Sequence, residues 1–241
     1  MKRYTYDFHV HSCLSPCADN DNTPNNIAGM ASLCGIEIMA LTDHNTSKNC
    51  PAFFEAARRY GIVPVGGMEL TTSEDVHVIC LFDSLEATMA FDQLVDSRRI
   101  KIKNRPEIFG DQLILNGEDE PIGTEEDLLI NATSISLEEV PALVQPFGGV
   151  AYPAHIDREA NGIIAVLGDF PKTPFFSCVE LHDAESTAAY TAQYHLQDKK
   201  ILVSSDAHRL TDFRDENDTL PVDDEPYSSA LVRRRVLDFL R

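Results

Sequence analysis

The chain has 241 residues, 43% of them hydrophobic, enough for one large domain with a sizeable core. With 39 acidic and 20 basic residues its net charge is −19. That charge disfavours a duplex-binding protein, whose Lys and Arg displace counterions, but admits small phosphorylated ligands, because bound cations reverse the sign locally.

The N-terminal MKRYTYDFHVHS lacks the apolar run of a signal peptide. No stretch approaches the roughly 20 apolar residues of a bilayer span. The six cysteines are scattered and form no disulfide framework. The expectation is a cytoplasmic protein with reduced thiols and no membrane contact.

Strands are predicted at Tyr4–Val10, Ile36–Leu41, Ile62–Val65, Val76–Phe82, Gly149–Tyr152, Cys178–Leu181 and Ile201–Ser204, as short apolar runs suited to burial on both faces. Between them, Thr23, Pro24 and Gly35 punctuate a first helix, and Pro51 and Gly61 a second. Glu86–Ser97 is amphipathic, Ser136 with Glu139 reads as a capping box for a helix ending near Gly148, Glu185–Asp198 is helical with His195 in its core pattern, and Tyr227–Leu240 closes the chain. Arg98–Thr133 interrupts this rhythm and reads as an inserted lobe; Thr211–Pro226 reads as the most loop-like stretch. Alternating strands and helices argue for an α/β fold with a mostly parallel sheet, as one domain over residues 1–241 with the lobe at 98–133.

His9 and His11 sit two apart at the end of the first strand, so both imidazoles share one face. Asp43 and His44 follow the second strand, Glu69 the third, His155 the strand GVAYPAH, and Asp206 and His208 the strand ILVSSDAH. Residues just past strand C-termini converge on one end of such a sheet. His77 opens its strand instead, so that segment must run in the opposite sense or bend. Six of the eight histidines with acidic companions point to a divalent metal centre taking Zn, Mn or Fe rather than Mg.

The ordered set DFHVHS, LTDHN, GMEL, VHV, PAH and SSDAH resembles the motifs of the PHP (polymerase and histidinol phosphatase) superfamily, in particular its stand-alone phosphoesterases. The resemblance implies a distorted (β/α)7 TIM-like barrel and two to three metal ions held by His9, His11, His44, Glu69, His77, His155, Asp206 and His208. It also implies a carboxylate after the H-x-H. Here the chain departs from the pattern, reading HVHSCLSPCADNDNTP with Pro16 where Asp is usual. Asp19 is the first candidate for that ligand, Asp21 the second and Cys17 a third.

What the resemblance implies for function is hydrolysis of phosphate esters by a metal-activated water, on a small phosphorylated metabolite, nucleotide or short oligonucleotide, with no duplex expected. Glu69 is the natural bridge between ions because it has two oxygens to share. Arg158 would contact substrate phosphate, its other reading being a surface pair with Asp157 or Glu159. Asp43 would orient His44 or its neighbours; His182 is a pocket candidate and Glu180 reads as structural. The basic run Arg98–Arg105 is either a second phosphate clamp or a solvated face. Two competing readings are an amidohydrolase-like C–N hydrolase, disfavoured because no lysine sits at a strand end beside the motifs, and a non-catalytic polymerase-accessory module.

Overall fold

A computed structural model describes all 241 residues. The strands are β1 (Lys2–Asp7), β2 (Ile38–Leu41), β3 (Val63–Thr71), β4 (His77–Phe82), β5 (Leu113–Leu115), β6 (Pro121–Thr124), β7 (Val150–Pro153), β8 (Cys178–Leu181), β9 (Lys200–Val203) and β10 (Thr219–Val222). The helices are α1 (Pro24–Leu33), α2 (Cys50–Arg59), α3 (Leu85–Arg98), α4 (Pro106–Phe109), α5 (Val140–Val144), α6 (Ile163–Leu167), α7 (Thr187–Gln193) and α8 (Ser229–Leu240).

Six strands form one sheet in the order β10-β1-β2-β3-β4-β7, and β8 pairs with β9 separately. β1, β2 and β3 are parallel, β4 is antiparallel to both its neighbours, and β8–β9 is parallel. Of the two arrangements that His77 implied, a reversed or a bent segment, β4 takes the reversed one. Between β7 and β8 the contact is the Ile156 amide donating to the Glu180 carbonyl (2.8 Å), and between β9 and β1 a bridge of Val10 with Ala207. The architecture is thus an α/β fold with a curled, half-barrel sheet; the (β/α)7 ring implied by the resemblance is interrupted at these two junctions. β10 lies within Thr211–Pro226, the stretch that reads as loop, because Lys2–Thr5 offer it an antiparallel edge.

Pleating sorts the core. Tyr6, Phe8, Ile38, Ala40, Val65, Ile79, Leu81, Tyr152 and Cys178 fill the concave side, closed below by Val232, Val236, Leu237 and Leu240 of α8. The alternate residues face outward, Met39 and Leu41 against α1 and α2, and Met68, Cys80 and Phe82 against α3 and α5. Gly66 allows α3 to lie on β3: a Cβ there would come within 1.9 Å of the Thr88 hydroxyl.

Several helices are shorter than predicted. Ser136 and Glu139 do bond each other, but α5 begins only at Val140 and gives way to a 3-10 turn at Gln145–Phe147, where Pro146 cannot continue it. α7 ends at Gln193, and His195 is exposed in a left-handed conformation rather than packed in a helix. Residues 98–133 carry α4 and the β5–β6 hairpin, tied at their base by bridges of Arg99 with Thr133 and Lys103 with Asp127. Their cations are engaged locally, Arg99 with Asp96 and Glu125, Lys101 with Asp96 and Lys103 with Glu126, so this run does not overhang the pocket. No helix is long and apolar enough to cross a membrane.

Candidate metal centre

The site stands on the upper end of the concave column. On β3 the face that buries Val63 and Val65 carries Glu69; on β4 the face that buries Ile79 and Leu81 carries His77. β1 changes parity after Phe8, where the Asp7 carboxylate accepts the His9 amide (3.2 Å), and both His9 and His11 then turn inward. His155 and Asp206 reach the cluster from backbone at φ 27° and 52°. That region costs a non-glycine residue about 1–3 kcal/mol and persists where the surroundings enforce it.

Glu69 is the hub. It is 1% exposed, and its two oxygens face His9 Nε2 (3.2 Å), His11 Nε2 (3.3 Å), His44 Nδ1 (2.9 Å), His77 Nδ1 (2.7 Å) and His155 Nε2 (3.1 Å). Asp206 Oδ1 lies 3.2 Å from the Nε2 atoms of both His9 and His11. Four groups bring ligand atoms within 4.8 Å of one another: His9, His11 and Asp206; His9, Glu69 and His155; His44, Glu69 and His77; and His11, His44 and His208.

Hydrogen-bond partners behind the cluster fix the ring orientations. Glu180 Oε1 accepts from His9 Nδ1 (2.7 Å) and from the His155 amide (3.2 Å), which aims His9 Nε2 into the cluster. The sequence reads Glu180 as structural; its signal is parity, because it shares the inward face of β8 with Cys178. Asp43 does not reach the pocket. It accepts from Ser12 N, Ser12 Oγ and Ser15 Oγ, each at 2.7 Å, and Ser15 Oγ meets His11 Nδ1 at 3.0 Å. Its influence therefore runs through Ser15 to His11, rather than through His44 alone.

Asp19 is not brought to the cluster. Its side chain is 58% exposed and lies 3.6 Å from Arg209 Nε. Asp21 is also exposed. Cys17 is exposed at the rim beside His44 and His208, and its sulfur enters none of the four ligand groups. Burial alone would raise this thiol, yet the two imidazoles bring it down to about 6.

The electrostatics are those of a cation site. Burial opposes ionisation of Glu69, but His77, His9 and His44 hold its carboxyl well below the usual range. Asp206 is lowered against its burial by His9 and His11. Burial disfavours a charged His9, yet Asp206, Glu180 and Glu69 raise it well above an ordinary imidazole, while His11 is lowered by burial and by His208 and His44. Glu69 Oε2, Asp206 Oδ1 and His44 Nδ1 are buried without a satisfying hydrogen bond. Orphaned acceptors of this kind, facing convergent imidazoles, fit divalent ions.

A cavity of about 120 Å³ opens over His44, Glu69, His77, His155, Arg158 and Asp206. An adjoining one of about 360 Å³ is lined by Arg158, His182, Asp206, His208 and Arg214. Arg158 pairs with Asp206 Oδ2 (2.7 Å) and donates to His182 Nδ1 (3.2 Å), not to Asp157 or Glu159. Arg214, which the sequence left in a loop, donates to His182 Nδ1 (3.2 Å) and to its carbonyl (2.7 Å). Burial, then these two guanidiniums, lower the His182 imidazole. A cleft of about 290 Å³ around Phe170, Phe175 and His195 holds none of the clustered ligands.

The PHP domain model matches residues 7–139, more than half of the chain. The chain belongs to the PHP domain family. Over 80 residues it is 32% identical to phosphoribosyl 1,2-cyclic phosphate 1,2-diphosphodiesterase of Eggerthella lenta, covering 31% of this chain and 29% of that one. Over 112 residues it is 30% identical to a 5'-3' exoribonuclease of Haemophilus influenzae, covering 45% and 39%. The lesion-specific endonuclease Q of Pyrococcus furiosus superposes on the whole chain with a TM-score of 0.63 at 16% identity, and the chain spans 57% of it. An endonuclease Q has also been solved on a 27-mer duplex with an abasic lesion, covering 87% of this chain and 50% of that one (TM-score 0.54, 16% identity). The segments matched span well under half of the two curated relatives. These structural likenesses establish a shared fold.

Proposed function

We propose that this PHP chain is a metal-dependent phosphoesterase acting on a small phosphorylated metabolite, a nucleotide or a short oligonucleotide. The observation that carries this reading is a single carboxylate, Glu69, ringed by five imidazoles and opening onto a cavity flanked by Arg158. Divalent ions bound there would supply Lewis acidity and a water of lowered pKa. Zinc, manganese and iron suit this donor set, and His9, His11, His44, His77, His155, His208, Glu69 and Asp206 would hold two or three of them.

The chain's own residues then do the rest. Glu69, with two oxygens facing different imidazoles, would span neighbouring ions. Glu180 and Ser15 keep His9 and His11 in the tautomers that present Nε2 inward. Arg158 is positioned to exchange its bonds to Asp206 and His182 for the oxygens of an entering phosphate, which its planar fork binds bidentately. Arg214 adds a second donor on the far side of His182 and favours substrates with a further anionic group. No lysine lines the pocket to serve as a carbamylated bridge, which weighs against C–N hydrolysis. The net charge of −19 favours small or single-stranded substrates, while the likeness to endonuclease Q makes a lesion-bearing duplex the comparison substrate to assay.

The test is turnover of p-nitrophenyl phosphate and bis-p-nitrophenyl phosphate with added Mn or Zn, beside His9→Ala and Asp206→Ala. Hydrolysis by the loaded wild type that is lost in both variants, with circular dichroism unchanged, supports the reading. Undiminished hydrolysis in either folded variant would refute it.

A further inference from the structure

We infer that the cavity beyond His182 binds a second, non-scissile phosphate through Arg214, so that the substrate is a small bisphosphorylated sugar or polyol and not a nucleotide. The inference rests on the phosphoesterase reading above and names its substrate class. Arg214 is a guanidinium without a carboxylate. Its bonds go to the His182 ring (3.2 Å) and the His182 carbonyl (2.7 Å), and neither Glu216 nor Asp218 on its outer side pairs with it. In a chain with 39 acidic and 20 basic residues, this leaves an uncompensated positive charge at the edge of a cavity of about 360 Å³. The acidic side chains that line the cavity are already engaged. Asp206 Oδ2 holds Arg158 (2.7 Å), and Asp212 Oδ2 accepts from the amides of His208 (3.1 Å) and Arg209 (2.8 Å).

Backbone contacts hold both guanidiniums in place. The Asp157 carboxylate accepts the amides of His182 and Asp183 (each 2.8 Å), which fixes the His182 carbonyl as the acceptor for Arg214 and sets Arg158, the next residue, on the other flank of the ring. Asn217 Nδ2 donates to the Arg214 carbonyl (2.7 Å). Arg158 and Arg214 each bring a nitrogen to 3.2 Å from the same His182 Nδ1, so those two nitrogens are no further apart than twice that distance. Two phosphates seated on these planar forks therefore belong to one compact molecule. Arg158 lines both the inner cavity over Glu69 and the outer one, whereas Arg214 lines only the outer of the two. The phosphate at Arg158 is thus the one beside the metal ligands, and the one at Arg214 is carried uncleaved. A nucleobase is held by stacking on an aromatic side chain. No Phe, Tyr or Trp lines either cavity, and Ala160 is the one apolar residue that does. This polar lining suits the hydroxyls of a sugar and offers a base no platform.

The experiment measures competitive inhibition of p-nitrophenyl phosphate hydrolysis by the manganese-loaded full chain, with fructose 1,6-bisphosphate, fructose 6-phosphate, adenosine 3',5'-bisphosphate and AMP as competitors. The readout is the ratio of inhibition constants, from which a general change in activity cancels. Wild type should bind fructose 1,6-bisphosphate about 10–100-fold more tightly than fructose 6-phosphate, as a charge-assisted contact to a second phosphate supplies. Arg214→Ala should abolish that preference, and Arg214→Lys, which keeps the charge but not the fork, should retain part of it. Equal binding of the two fructose phosphates by wild type, or an undiminished preference in Arg214→Ala, would overturn the subsite. Tighter binding of adenosine 3',5'-bisphosphate than of fructose 1,6-bisphosphate would overturn the choice of a sugar. If the loaded protein turns over no p-nitrophenyl phosphate, the phosphoesterase reading falls, and the same affinities read by isothermal titration calorimetry decide the subsite separately.

Discussion

Replacing Glu69 with glutamine tests the hub of the site. The side chain keeps its volume but loses its charge and one of two acceptor oxygens, among five imidazole nitrogens at 2.7–3.3 Å. Loss of a supporting partner typically weakens metal binding about 10–100-fold, and a shared ligand should cost at least the upper figure. With zinc free at about 100 times the wild-type Kd, binding stabilises the fold by about 2.7 kcal/mol. At about 2–4 °C per kcal/mol for a domain of this size, Tm should rise by about 5–11 °C. In Glu69→Gln at the same zinc concentration, a Kd about 100-fold weaker leaves about 0.4 kcal/mol, or about 1–2 °C. Differential scanning fluorimetry with and without zinc reads both shifts, and comparing shifts removes any change in metal-free stability. A wild-type-sized shift in the variant would show that Glu69 is not a ligand.

Other perturbations separate the supporting parts. Glu180→Gln, which weakens the bond to His9 Nδ1, should lower zinc affinity about 10-fold in a competition titration; an unchanged affinity would remove Glu180 from the metal site. Arg158→Lys should cut kcat/KM on a phosphate ester about 10–100-fold at unchanged metal content, because an ammonium cannot bind two phosphate oxygens in the same plane, and unaltered kinetics would count against substrate contact. Asp7, fully buried, has its carboxyl raised from 3.8 to about 6 by burial, only partly offset by its bonds from Ser205 and His9. The folded state therefore favours its protonated form, so this preference stabilises below about pH 4 and is lost as pH rises through 6. Asp7→Asn should exceed wild type by up to about 3 kcal/mol in urea unfolding at pH 8 with chelator present, an advantage that vanishes near pH 4; a constant difference across pH would refute the account.

Much of the site is legible because ligand placement follows strand termini. His9, His11, His44, Glu69, His155, Asp206 and His208 each end an apolar run, and a parallel arrangement gathers such ends wherever they fall in sequence. His77, at the start of its run, implied a reversed or bent segment, and β4 is the reversed one. The loop after the H-x-H was not legible. Its geometry is set by the Pro16–Gly110 packing and the Asp19–His208 backbone bond, contacts across about 90 and 190 residues that no local pattern encodes. Carboxylate chemistry favoured Asp19, while tertiary contact turned it out to Arg209. β10 was missed for a related reason. Thr219–Val222 is a short edge segment in a polar, Pro-containing stretch, and only its pairing with β1 makes it a strand.

The central claim, that these distant imidazoles and carboxylates jointly hold divalent ions beside a phosphate site, is tested most directly by anomalous diffraction from crystals of the full chain grown with zinc or manganese and phosphate. Two or three anomalous peaks among His9, His11, His44, Glu69, His77, His155, Asp206 and His208, with phosphate density against Arg158, are expected. Well-ordered density for these side chains with no anomalous peak between them would contradict it.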